Sequence, residues 1–321
     1  MTDARPTRRT LLIAACATAL AASPAAALAR APRLYRWRGT VLGGEATLLL
    51  GTPSAEDAER LATRCRAEIA RLERIFSLYR ADSVLVRLNA AGRLADPPSE
   101  MRELLALSRR LWEASGGAFD PSIQPLWRAW TKGGRRADIR HALARVGFDK
   151  VRVDDGEVRF AAPGMGLSFN GIAQGFITDR VTALLARAGL GHALVSLGET
   201  RALGTRPDGA AFEVAIETPA ARASMPRLAL GDGAALAVSA AAATVIPGSG
   251  GVAHLLDPRT GTSPKRYDAV AVKAPTATLA DGLSTALSFL ARGEAAALLA
   301  AHPRTTAWLF DRDGMHRIGA D

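Results

Sequence analysis

The chain has 321 residues, 48% of them hydrophobic, and a formal net charge of +10. That much apolar material supports a large core, in one compact domain or two lobes, and excludes an intrinsically disordered chain. The positive excess is mostly arginine scattered along the sequence without interleaved aromatics, so it reads as a solvated surface and excludes nucleic acid as a partner.

The N-terminal stretch Thr7-Arg8-Arg9-Thr10-Leu11-Leu12 opens a charge-free Ala/Leu run that reaches Ala27-Leu28-Ala29. This is the pattern of an export signal with its cleavage site, and the arginine pair gives it the twin-arginine form. The sequence therefore divides into a Tat-type signal over 1–29 and a mature domain over 30–321, expected in the periplasm with no stable membrane span once the signal is removed. Cleavage removes Cys16 and leaves Cys65 alone, so the mature chain has no internal disulfide, and Cys65 is expected as a small core residue.

Past the signal, residues 34–51 read as strands broken at Gly43-Gly44, and a helix is predicted over 54–75 with Ser54 as N-cap and Leu61, Cys65, Ile69, Leu72 and Phe76 on one face. Residues 76–89 gather Ser77, Tyr79, Arg80, Asp82, Ser83 and Asn89, a composition of capped turns in which Tyr79 could also offer an aromatic edge to a planar ligand. A helix from Pro97-Pro98 to about 115 stops at Gly116-Gly117, and 118–130 reads as an irregular apolar loop lining something. A short helix over 137–146 and a hairpin of 151–153 with 158–160 follow, and 158–160 with 167–169 around Pro163-Gly164 suggests a further hairpin. The next helix carries Ile172, Phe176, Ile177, Val181, Leu184 and Leu185 at helical spacing. Later strands are expected at 193–197, 211–217 and 269–274, with another running from His254 into the Pro258-Arg259-Thr260-Gly261 turn. Residues 236–244 are unusually small, and a last main helix covers about 279–290. Short strands and helices mixed irregularly, without repeats or linkers, point to an α+β fold.

Three places could carry chemistry. Gly171 and Gly175 leave the first turn of their helix bare, either exposing backbone N–H groups and a carbonyl to an anion or metal, or letting the helix pack closely on a neighbour. Asp281 and Thr285 lie one helical turn apart and offer two hard oxygens suited to Mg²⁺, although Asp281 as a cap and Thr285 bonding its own backbone is the alternative. His254 could accept a proton from an attacking hydroxyl or serve structurally. The chain has no zinc pattern, P-loop or Gly-x-Ser-x-Gly elbow.

Taken together, the sequence from about 36 to 291 resembles the ApbE family of periplasmic FAD:protein FMN transferases. The resemblance rests on Phe76-Ser-x-Tyr-Arg-x-Asp-Ser-x-Leu-x-Arg-Leu-Asn89, Gly117-Ala-Phe-Asp-Pro-Ser122 and Gly171-Ile-Ala-x-Gly175 with Asp179-Arg180-Val181. It continues in Leu194-Val-x-Leu-Gly198 with Arg201-Ala202, His254-x-x-Asp-Pro-Arg-Thr-Gly261, and Ala280-Asp281 with Thr285-Ala286. It implies a fold of mixed, mainly antiparallel sheets with flanking helices and a central FAD and Mg²⁺ cleft. It further implies FMN transfer from FAD to a Thr or Ser hydroxyl of an acceptor flavoprotein, with AMP released. Mg²⁺ would be held by Asp281, Thr285 and the Gly171 carbonyl, with His254 as base. Leu42, Tyr79, Ala118, Phe119, Asp120, Gln174, Ser239 and His254 would contact FAD. Ser168, Asn170, Gln174 and Leu42 depart from the common family residues, and Gly198-Glu199-Thr200-Arg201 is one residue shorter than the common form. The Asn-Gly-Ile-Ala-Gln-Gly form looks like the NosX branch of nitrous oxide respiration, which implies NosR as acceptor. A flavin carrier without chemistry and a Mg²⁺-dependent FAD pyrophosphatase are the alternative activities.

Overall fold

The computed structural model describes residues 31–41, 44–154, 156–216, 227–231, 233–240 and 244–320. The expected signal and Leu42 lie outside the described residues. The chain begins with β1 (Arg33–Val41), β2 (Gly44–Thr52) and α1 (Ala55–Phe76), then α2 (Val84–Ala91), β3 (Arg93–Ala95) and α3 (Ser99–Ala114). A 3₁₀ turn leads to α4 (Gln124–Thr131), α5 (Arg136–Leu143), β4 (Val151–Asp154), β5 (Glu157–Phe160) and α6 (Ala173–Arg187). Next come β6 (Ala193–Ser196), β7 (Thr200–Leu203), β8 (Phe212–Ala215), β9 (Arg227–Leu230) and β10 (Ala235–Ala240). The chain closes with β11 (Ala269–Ala274), α7 (Ala277–Leu287), α8 (Arg292–Ala300), β12 (Thr306–Asp311) and β13 (Gly314–Gly319).

The main sheet has eight strands in the order β1-β2-β6-β7-β10-β11-β12-β13, and every pairing in it is antiparallel. Strand alternation assigns its two faces. Leu48, Val195, Ala237, Val270, Val272 and Leu309 point into the large core beneath α1, α6 and α7, whereas Ala202, Leu236, Ala271 and Trp308 point the other way. The second face is covered by the β8–β9 hairpin through Phe212 and Leu230. A smaller cluster around Leu126, Ala142, Ile246 and Leu256 joins α4 and α5 to the segment before β11.

Local chemistry explains most boundaries. Ser54 accepts the Asp57 N–H at 3.1 Å and starts α1, whose Leu61, Cys65, Ile69, Leu72 and Phe76 are all buried. Cys65 is a free thiol in that core, and burial pushes its pKa up to about 12, leaving it an inert packing residue. Phe76 closes α1 edge-on against Phe169 and Phe176, with centroids 5.9 and 5.5 Å away, fixing the segment that enters α6.

Four expectations are corrected. Residues 118–130 are ordered, with Asp120 capping a 3₁₀ turn (Pro121–Ile123) that continues into α4, because prolines at the helix starts forgo only N–H groups that have no helical partner. Residues 167–169 form no hairpin arm. Asn89 clamps Leu167 instead, accepting its N–H at 2.7 Å and donating to its carbonyl at 2.8 Å, while β5 pairs with β3 and β4. Residues 254–258 are not a strand, since only the single Val245–Ala253 bridge precedes them. Thr276, not Asp281, caps α7, accepting the Leu279 N–H at 3.2 Å.

Candidate active site

Gly175 takes the packing alternative, whereas Gly171 faces the cleft described below. A Cβ at Gly175 would lie 2.3 Å from the Ala277 carbonyl oxygen, so this glycine lets α6 and α7 touch backbone to backbone. Ile172 at the N-cap of α6 supplies no side-chain bond, and the Ala173 N–H turns back to the Phe169 carbonyl at 2.7 Å, so the first-turn N–H groups must find partners outside the helix. The anion that takes one of them is internal: Gly175 N–H donates to Asp281 Oδ2 at 2.9 Å. At Gly171 a Cβ would meet Thr285 Oγ1 at 2.7 Å, and that hydroxyl stands 3.4 Å from the Gly171 carbonyl oxygen. Asp281, Thr285 and the Gly171 carbonyl therefore converge, although they are separated by more than a hundred positions in sequence.

Asp179 and Arg201 hold this meeting in register. Asp179 accepts the Ala277 N–H and the Thr278 N–H, each at 2.9 Å, the Thr278 hydroxyl at 2.5 Å, and Arg201 Nη1 at 2.6 Å. One carboxylate of α6 thus satisfies the N-terminus of α7 and ties it to β7. Asp179→Ala is expected to cost about 3–5 kcal/mol, because Arg201 would be left without its counter-charge in a mostly buried position. Urea unfolding measures this; a loss below about 1 kcal/mol would mean that the pair is dispensable.

Gly171, Asp281 and Thr285 line a cleft of about 700 Å³, the range of small-molecule sites. Tyr79, Ala118, Phe119, Asp120, Gln174, Ser239 and His254 line the same cleft, together with Gly171, Asp281 and Thr285. Tyr79 is 74% exposed at the rim, placing its ring where a planar ligand could stack. Ser239 Oγ is 2.8 Å from Ser284 Oγ, whose own proton goes to the Asp281 carbonyl at 2.9 Å, so Ser239 must donate to Ser284 and remains free only to accept. Asp120 is the least available member. Its carboxylate accepts Ser122 N–H and Oγ–H at 2.7 and 2.6 Å, and Phe148 N–H and Trp112 Nε1–H at 3.1 Å, so its acceptor capacity is spent on holding the cleft wall. Burial nonetheless raises its pKa against those bonds.

The electrostatics favour a cation. Burial, with the Asp179 charge in addition, pushes the Asp281 carboxyl up to about 7 against the pull of the Gly175 N–H. Glu199, which the sequence motifs left without a role, also lines the cleft, and burial followed by the Asp281 charge drives its pKa well above the ordinary carboxylate value. No Lys or Arg lines the cleft among the described residues. Among them there is likewise no group of three or more His, Cys, Asp or Glu side chains that could enclose a metal. The donors present are hard oxygens with few carboxylates, which fits Mg²⁺ in an open site shared with phosphate oxygens and water, and excludes a closed zinc-type cage.

His254 Nδ1 is 3.1 Å from the Thr244 carbonyl oxygen, which can only accept, so Nδ1 carries the proton and Nε2 is left as an acceptor. Burial lowers its pKa below the ordinary histidine value.

An acid-lined cleft of small-molecule size in an α+β fold is the frame of a ligand-binding enzyme, and comparison with known proteins narrows this class. Residues 42–310 match the ApbE family. The FAD:protein FMN transferase of Treponema pallidum is 32% identical, over 77% of this chain and 76% of its own, and that of Salmonella typhimurium is 28% identical, over 84% and 80%. The crystal structure of Pseudomonas stutzeri flavinyl transferase ApbE in its apo form superposes with a TM-score of 0.76 at 28% identity, covering 90% of this chain and 95% of that one. The chain belongs to the ApbE family.

Proposed function

We propose that the chain is a Mg²⁺-dependent FAD:protein FMN transferase. The carrying observation is the convergence of Asp281, Thr285, the Gly171 carbonyl and His254 in one cleft of a chain whose relatives are named for that reaction. An acceptor Thr or Ser hydroxyl oxygen attacks the FMN-side phosphorus of FAD, a new P–O bond forms, and the pyrophosphate P–O bond to AMP breaks, AMP leaving with the bridging oxygen. His254 Nε2 takes the hydroxyl proton. Asp281, Thr285 and the Gly171 carbonyl would hold Mg²⁺, which when bound supplies neutralising charge to the pyrophosphate and its leaving group. Tyr79, Phe119 and Gln174, which line the cleft, orient the flavin.

The arginine pair and apolar run before residue 30 support export to the periplasm. The Asn170-Gly-Ile-Ala-Gln-Gly175 form and the short Leu197-Gly-Glu-x-Arg201 turn support a place in the NosX branch, with NosR as the acceptor. The test is AMP release from FAD with and without an acceptor domain carrying a target Thr. A transferase needs the acceptor for turnover. Free FMN in its absence identifies a pyrophosphatase, and bound FAD without AMP identifies a carrier.

A further inference from the structure

Glu199 is the one carboxylate of the cleft with no assigned task. It sits in the turn between β6 and β7, where its carbonyl accepts the Leu197 N–H at 2.9 Å and Thr178 Oγ1–H at 3.3 Å, so the main chain fixes its place. The residue is only 8% exposed, and its Oε2 is buried without any hydrogen-bond partner. A buried, unpaired carboxylate oxygen is costly unless a ligand satisfies it. The nearest cation in sequence, Arg201, gives Nη1 to Asp179 and Nη2, at 3.2 Å, to the Pro275 carbonyl, and its buried Nε makes no hydrogen bond to Glu199.

Glu199 lines the same cleft as Asp281. Glu199 follows Gly198, where a Cβ would meet the Gln174 amide within 2.5 Å, so it stands beside the first turn of α6 that Asp281 also caps. Glu199 and Asp281 both line the cleft, and no Lys or Arg among its described lining residues offers either carboxylate a counter-charge. We propose that Glu199 is a ligand of the divalent cation in this cleft, adding a second carboxylate to Asp281, Thr285 and the Gly171 carbonyl. Two carboxylates remain within what Mg²⁺ accepts while keeping positions for substrate phosphate. This rests on the reading of Asp281 and Thr285 as a cation site.

The test titrates Mn²⁺ alone into the full chain, without FAD, and follows the free-ion signal by electron paramagnetic resonance. Glu199→Gln, which keeps the shape and removes the charge, is expected to weaken Mn²⁺ binding about tenfold or more while circular dichroism stays unchanged. Asp281→Asn serves as the parallel arm. Weak binding in both variants supports the proposal. Full affinity in Glu199→Gln with loss in Asp281→Asn overturns the role of Glu199 and leaves the cation site standing. Full affinity in both overturns the site as well. Should Glu199→Gln fail to fold, Glu199→Asp, shorter by one methylene, is expected to lower affinity, and unchanged affinity in that variant overturns the proposal.

Discussion

Asp281→Asn is expected to lower covalent flavin transfer by about a thousandfold or more, the scale on which charge stabilisation at a transferring phosphoryl group operates. The loss should come without unfolding. Among the described residues the one side-chain bond of Asp281 is the acceptor bond from Gly175 N–H, which an asparagine oxygen can also accept, and the neutral amide removes a buried charge beside Asp179. The thermal midpoint should therefore hold or rise while AMP release collapses. Turnover at the wild-type rate would remove Asp281 from the chemistry.

His254→Ala is expected to reduce the rate of transfer by about a hundred- to ten-thousandfold, the usual contribution of a positioned general base. Its pH dependence separates this role from a structural one. A base must be neutral to act, and burial depresses the His254 pKa below its ordinary value of 6.5. At saturating Mg²⁺, where the bound cation would keep Asp281 ionised, kcat/KM of the wild type should rise with pH through an acidic limb below 6.5 that belongs to His254. The variant should lose that limb as well as the rate. A proportional loss at every pH with the limb intact would assign the titration to another group.

Much of this was legible in the sequence where a local rule decides the outcome. Ser54 followed by apolar residues at helical spacing identified α1, and the strand expected at 269–274 is β11. The Asp281–Thr285 pair was legible because helical spacing alone puts the two on one face, and its partnership with Gly171 came through family resemblance. What escaped depends on distant partners. The saturation of Asp120 is set by Trp112 and Phe148, residues that no spacing rule connects to it. That Glu199 Oε2 lacks a partner is a property of what fails to reach it in three dimensions. The short β3, the α4 helix behind its prolines, and the β12–β13 hairpin were missed because they are brief or lack an alternating pattern, and tertiary packing completes them.

The most direct measurement of the central claim is the intact mass of an acceptor domain after incubation with the full chain, FAD and Mg²⁺, with AMP quantified in the same sample. A transferase built on this cleft gives one FMN on the acceptor and one AMP for each, and neither when the acceptor Thr is replaced by Ala. AMP formed in full while the acceptor mass stays unchanged would contradict it.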